Sequence, residues 1–372
     1  MTTQESKNIN YTIFVVSNEP WGKQWFIKHH YANELAKLGN DVCFVDPVGA
    51  WVPNNLFRQG IEVSEISENL KLVKYNNLLP VRGLPNLALK VNDWLNAKKL
   101  NRLRNSKKLV IWQFDAFRFS FNFFNDARKI YHVADHYRDL PFDLENIKHA
   151  DLIVCTSKTF VDYYSSFGKE TIYIPHAISE TEVETDAIVV GKLKKKYGDY
   201  ILHAGSINDR LDISVFREIL NHFENRKLVL IGPNRLKIRE NKKIFDECIS
   251  KNNCEYLGLV SGEKVKNYVK ASKVCLVSYS FDSKQTLGPI TSSLKVLNYL
   301  AQKKPVITSN RLEYPSLSDK AIFYGKDIKE YVTLIEKVLD NKLSVDRSLV
   351  DDFLMEHYYK SYIQQIFNGL EK

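Results

Sequence analysis

Residues 286–310 run Thr-Leu-Gly-Pro-Ile-Thr-Ser-Ser-Leu-Lys-Val-Leu-Asn-Tyr-Leu-Ala-Gln-Lys-Lys-Pro-Val-Ile-Thr-Ser-Asn, a polar loop, a short helix and a buried strand. Gly288, Thr291 and Ser292 crowd the start of that helix, where free backbone N–H groups attract an anion. Lys295 follows in the next turn as a mobile point charge suited to a phosphate. Gly205 and Ser206 lie just past another strand-like run, where a residue without Cβ lets backbone N–H groups come close to phosphate oxygens. Together these residues suit a phosphorylated ligand on a Rossmann-like half. An ordinary amphipathic helix ahead of a core strand accounts for 286–310 equally well.

Asp135 and His136 form a second pair of titratable residues, at a strand end. Asp135 ends the strand-like run Ile130–Ala134 and so projects from a strand's carboxyl end, the usual ligand edge of an open α/β sheet. His136 is adjacent and could orient Asp135 or replace it. Helix N-capping suits the same aspartate. No DxD motif and no His, Cys or carboxylate cluster with ligand spacing is present, so no metal is expected. A Walker loop and a GxGxxG fingerprint are also absent, which argues against ATPase and NAD chemistry; no cofactor is expected.

The elements that must position these groups alternate. Tyr11–Ser17 reads as a buried strand, 18–22 as a turn-rich loop, Lys23–Leu38 as a helix ending at Gly39, and Asp41–Asp46 as the next strand. Apolar runs this continuous belong to a parallel sheet covered on both faces. More strands are predicted at 70–75, 108–114, 129–133, 152–156 and 171–174. The polar, Lys-rich stretch 180–198 reads as a linker. Alternation restarts at Tyr200–Gly205, with strands at 227–231, 254–257, 274–279 and 305–308 and helices at 212–223, 237–250, 262–271 and 293–302. Two final helices are predicted at 327–340 and 348–371. The expected division is 1–182 and 183–347, two doubly wound halves making an interdomain cleft, with 348–372 returning to the first.

At 372 residues, two domains are the natural expectation. Hydrophobic content of 44% and charged content of 26% are globular values. The N-terminus lacks the apolar core of a signal peptide, and no run is long enough to span a bilayer. Five scattered cysteines read as buried free thiols in a reducing compartment, so a cytoplasmic protein is expected. The net charge of +9 favours anionic partners. Between Lys90 and Lys108 stand seven basic residues (Lys90, Lys98, Lys99, Arg102, Arg104, Lys107, Lys108) and one acid, Asp93. Leu87, Val91, Trp94, Leu95, Leu100 and Leu103 are interleaved at near-helical spacing. Such a helix suits the inner face of an anionic membrane, or it packs its apolar stripe on its own core. No nucleic-acid-binding module accompanies the charge.

The order of these segments resembles the two-domain GT-B glycosyltransferases, most of all bacterial sugar transferases of the family 4 type and the related teichuronic-acid and xanthan-type glucuronosyl enzymes. The likeness rests on Ser17-Asn-Glu-Pro-Trp21, Lys28-His29-His30, Phe44-Val-Asp-Pro47, Ile130-Tyr-His-Val-Ala-Asp135, Ala150–Ser157 and Ile174-Pro-His176. In the second half it rests on His203–Ile207 with Arg210 and Asp212, Val229–Pro233, Tyr256–Val260 and Leu294–Ala301. It spans nearly the whole chain. Two positions depart from the pattern: Asn298 stands where relatives carry a ribose-binding Glu, and Lys303 replaces a usual glycine.

The resemblance implies a transferase moving a sugar from a nucleoside diphosphate, UDP first, to a cell-surface glycan or polyprenyl-diphosphate-linked saccharide. Gly205, Ser206, Arg210, Lys295, Asn298, Thr291 and Ser292 would hold the nucleotide sugar. Leu259 and Val260 would hold the base, with Gly232 and Pro233 shaping the opposite wall. Asp135, with His136, would deprotonate the acceptor in an inverting reaction, whereas family 4 relatives retain configuration and need no such base. Trp21, Gly22 and Lys28 would contact the acceptor. A same-fold nucleotide-sugar 2-epimerase and a non-catalytic glycan- or nucleotide-binding relative are the competing readings.

Overall fold

The computed structural model describes residues 11–22, 25–49, 51–56, 60–80, 85–105, 108–117, 119–280 and 293–372. The chain divides into two compact units, residues 1–175 with 359–372, and residues 176–358.

The first unit runs β1 (Thr12–Val16), α1 (Ile27–Lys37), β2 (Asp41–Val45), β3 (Ile61–Ser67), β4 (Leu70–Tyr75), α2 (Pro85–Leu100), β5 (Leu109–Gln113), β6 (Ala127–Val133), α3 (Asp143–His149), β7 (Leu152–Cys155), α4 (Lys158–Ser165) and β8 (Thr171–Tyr173). Its eight strands are ordered β3-β4-β2-β1-β5-β6-β7-β8. Every pairing is parallel except β3 with β4. The β1 and β5 runs are buried at every position, as a sheet covered on both faces requires. β3 was not anticipated: its exposed Glu and Ser residues carry no core signal, and it is an edge hairpin turned at Asn69, where φ is 61°. Helix α1 starts at Ile27, after the expected Lys23. There the His29 ring accepts a hydrogen bond from the Phe26 N–H, satisfying one free donor of the first turn.

The second unit holds α5 (Ala187–Tyr197), β9 (Ile201–Ala204), α6 (Ser214–His222), β10 (Leu228–Ile231), α7 (Arg239–Ile249), β11 (Cys254–Tyr256), α8 (Gly262–Ala271), β12 (Val274–Val277), α9 (Leu294–Ala301), β13 (Val306–Thr308), β14 (Ile322–Tyr324), α10 (Ile328–Leu339) and α11 (Arg347–Glu356). Six parallel strands are ordered β11-β10-β9-β12-β13-β14, the doubly wound 3-2-1-4-5-6 arrangement.

The predicted linker is instead largely α5. Asp186 caps it by accepting from the Ile188 and Val189 N–H groups, and Leu193 and Tyr197, one turn apart, are buried. Its three terminal lysines sit at the negative end of the helix dipole. The predicted last helix is two, α11 and α12 (Tyr359–Leu370), separated at His357 and Tyr358. The His357 ring stacks on Phe353 at 3.8 Å and hydrogen-bonds the Phe353 carbonyl at 2.7 Å, while the main chain of 357 pairs with Ile178. Beyond the break, Tyr359 stacks on His30 and meets Tyr31 edge-on, both in the first unit. α11 therefore stays with the second unit and α12 packs on α1 and β7 of the first.

Candidate functional site

In the second unit the strand order reverses between β9 and β12, where a doubly wound sheet opens its ligand crevice. The two strands pair only at Ile201–Val274 and Leu202–Cys275, then part. Tyr299 of α9 fills the gap. Its buried hydroxyl accepts from the Ala204 N–H at 2.8 Å and lies 3.0 Å from the Ala204 carbonyl and 3.4 Å from that of Leu276. One phenol thus satisfies the backbone groups that the splayed strands leave over.

Gly205 follows β9 at φ 152°. A Cβ there would lie 2.9 Å from Lys295 Cδ and 3.1 Å from Nζ, so the lysine lies across the glycine's bare face. Gly232, at φ 134° after β10, backs the same peptide: its Cβ would come within 2.6 Å of the Gly205 carbonyl carbon and 3.2 Å of the Ser206 nitrogen. The layer continues sideways, because the Gly205 N–H donates to the Ile231 carbonyl and the Gly232 N–H to the Gly258 carbonyl. Glycine is required at both positions by conformation and by space.

Above this floor stand polar atoms that no described residue satisfies. Ser206 Oγ, Arg210 Nε and Ser278 Oγ are buried without hydrogen-bond partners among the described residues. The Lys295 ammonium sits 5.1 Å above the Tyr279 ring. Burial pushes the Tyr279 phenol up, but the Lys295 charge, hydrogen bonds from Ser293 and Lys295, and Arg210 outweigh it and leave the group below its ordinary value. Buried His203 lies beneath; burial, with the Lys295 charge adding, holds it neutral, far below the usual histidine range. Excess positive charge beside orphaned donors is an arrangement that binds an anion.

Next to the crevice is a hollow of about 480 Å3, lined by Asn208, Asp209, Arg210, Arg235, Lys237 and Ile238. Asp209 ties its two loops together by accepting from the Lys237 and Ile238 N–H groups and from Asn241. The Arg210 main chain is fixed by Asn208 on one side and by Ser280 on the other. Asn298 lies one turn beyond Lys295 on the same face of α9. Pro233 accepts from the Ile207 N–H, while Leu259 is exposed and Val260 half-buried after β11. Thr291, Ser292 and Gly288 lie outside the described residues, as does Lys23. The residues that sequence reasoning missed are Ser278, Tyr279 and Tyr299. For Tyr299 the available signal was one hydroxyl on an otherwise apolar helix face.

In the first unit the strand order reverses between β1 and β5. Lys28 is buried there, bonded to Glu19 and Asn18. Burial pushes its ammonium down to about 7, opposed by the Asp115 and Asp135 carboxylates. Asp115 is itself buried and accepts from the Phe117 N–H at 2.7 Å. Trp21 is pinned by its N–H to Asp46 at 2.8 Å and packs on Trp25, His29 and Phe44, while Gly22 is exposed. Asp135 is exposed past β6 and accepts from the His136 N–H; the His136 ring packs on Phe160. It caps no helix, since α3 begins at Asp143 after Phe142.

No family model matches the chain, and no curated protein sequence is similar to it. Solved structures are similar in fold. The Anabaena protein Alr3699/HepE, in complex with UDP and glucose, superposes with a TM-score of 0.65 at 13% identity over 98% of this chain and 99% of that one. Sucrose-phosphate synthase from Thermosynechococcus elongatus gives 0.63 at 15% identity, covering 97% and 99%. A UDP-N-acetylglucosamine 2-epimerase structure from Listeria monocytogenes, described as putative, gives 0.51 at 10% identity, covering 96% and 98%. The fold is GT-B.

Proposed function

We propose that the protein is a glycosyltransferase that moves a hexosyl or glycuronosyl group from a nucleoside diphosphate, UDP first, to a glycan or lipid-linked saccharide of the cell envelope. The second unit takes the donor and the first the acceptor. The observation that carries this reading is Lys295 lying across Gly205 beside the unsatisfied Ser206 Oγ and Arg210 Nε. Transfer breaks the bond between the anomeric carbon and the diphosphate oxygen, whose electron pair stays on the leaving group. Lys295, Arg210 and Ser206 stabilise that developing charge from a preorganised, partly desolvated site. The acceptor oxygen forms the new bond as its proton passes to Asp135, which makes the reaction inverting. Lys28 and Trp21 support the acceptor side.

Melting of the purified protein in UDP, GDP and dTDP tests the donor half. A rise with one nucleotide, lost in Lys295→Ala, supports the reading, and no response to any of the three overturns it. Incubation with a matching nucleotide sugar separates the alternatives suggested by the shared fold. Free nucleotide with glycosylated acceptor is transfer, an isomerised nucleotide sugar is epimerisation, and binding without turnover marks a non-catalytic relative.

A further inference from the structure

Helix α2 buries polar side chains while leaving two large apolar ones exposed. The residues it buries include Asn92, Asp93 and Asn96, beside Ala88, Ala97 and Leu100. Asn92 makes a two-way amide pair with the Leu79 N–H and carbonyl, both at 2.9 Å, and the Asn96 amide donates to Asn77 at 3.0 Å. Polar bonds to the 77–79 segment therefore fix which side of the helix faces inward. Two large apolar groups stay on the opposite face: Leu87 is 62% exposed and Trp94 49%. With the exposed Lys90 and Lys98 they fall at i, i+3, i+7 and i+11, one continuous stripe, and Val91 flanks it half-buried. Lys98 Nζ lies 5.3 Å from the Trp94 ring.

A soluble helix ordinarily presents such a stripe to its own core, and here it does not. Trp and Leu alternating with long-stemmed lysines is the composition of a helix seated at a lipid headgroup boundary: rings and aliphatic stems enter the apolar edge and ammonium groups stay at the phosphates. The surrounding charge is complementary to that surface. Exposed Arg102 and half-buried Arg104 continue the basic run, whereas the Lys99 ammonium is buried and adds no surface charge. The one acid of the segment, Asp93, is buried inward, and burial together with Glu145 and Asp115 raises its carboxyl to about 8, so it does not offset the cations at neutral pH. Among the described residues no helix is long and apolar enough to cross a membrane, so the contact is interfacial.

We infer that the exposed Leu87–Lys90–Trp94–Lys98 face of α2 is a docking surface for an anionic phospholipid bilayer. The inference stands apart from the donor site, which lies in the other unit.

The full-length protein should co-sediment with vesicles of phosphatidylcholine mixed with phosphatidylglycerol, and much less with phosphatidylcholine alone. High salt should weaken the binding. Lys90→Gln and Lys98→Gln should each lower partitioning about fivefold, the effect of one basic residue near an anionic surface. Leu87→Gln with Trp94→Gln should abolish it. These side chains are solvent-facing, so melting temperature and nucleotide response should stay at wild-type values in every variant, which separates this inference from the transferase reading. No binding to anionic vesicles, equal binding to neutral ones, or stripe variants that bind like wild type would each overturn it.

Discussion

Lys295 reaches its position only because residue 205 has no side chain: the place a Cβ would take lies 2.9 Å from the lysine Cδ and 3.1 Å from Nζ. The pair joins the end of β9 to the first turn of α9 across the crevice. Gly205→Ala should displace the lysine, and the φ of 152° adds backbone strain of about 1–3 kcal/mol. Calorimetric titration with UDP should show affinity falling about tenfold, the worth of a charge-assisted hydrogen bond. Lys295→Ala should lose as much, and the double variant little more, because both changes remove one interaction.

Gly232→Ala should act on stability first. Its new methyl group would overlap the Gly205 carbonyl, a backbone atom that cannot rotate away. We expect a loss of about 2–4 kcal/mol, in the range of overpacked, strained sites, read as a lower denaturation midpoint.

Tyr299→Phe removes the hydroxyl that serves Ala204. The Ala204 N–H is then buried unpaired, at a cost of about 1–3 kcal/mol. Melting should fall by several degrees. An unchanged melting temperature would mean that the strands close the gap themselves.

Asp93→Asn should stabilise the protein in a pH-dependent way. The folded carboxyl titrates at about 8, above its unfolded value, because burial and then Glu145 and Asp115 disfavour its charge. The folded state therefore binds a proton that the unfolded state releases between pH 4 and 8, and wild-type stability declines as pH rises through that window. The variant lacks this decline. Its advantage should be near zero at about pH 4 and reach on the order of 5 kcal/mol at about pH 9, measured by urea denaturation at both.

Asp135→Asn tests the acid–base assignment. Turnover should fall by about a hundredfold or more while UDP affinity holds, since the residue is assigned to proton transfer and not to donor binding. Equal turnover in the variant would return Asp135 to a surface role.

Much of the fold was legible because its strands carry unbroken apolar runs. β1, β5 and β9 are buried at every position, a pattern that survives without knowledge of partners. β3 escaped because an edge strand needs no apolar face. α5 escaped because only Leu193 and Tyr197 are fully buried on it, with Val189 and Val190 half-buried, amid a lysine-rich run. At the candidate site, the grouping of Gly205, Gly232 and Lys295 was expected from residue type at strand and helix ends. Ser278 and Tyr279 were not, since nothing local shows that the end of β12 faces the end of β9.

Residue order alone determined the alternation of strands and helices, the glycines that end β9 and β10, and a lysine at the head of α9, because local conformation and burial leave their period in the chain. Tertiary structure alone decided which strands neighbour which, that α12 leaves α11 to pack on α1, and that α2 turns its asparagines inward and its tryptophan out. Those outcomes depend on partners distant in sequence, such as Leu79 for Asn92 and His30 for Tyr359, whose contacts outweigh the preference of any single segment.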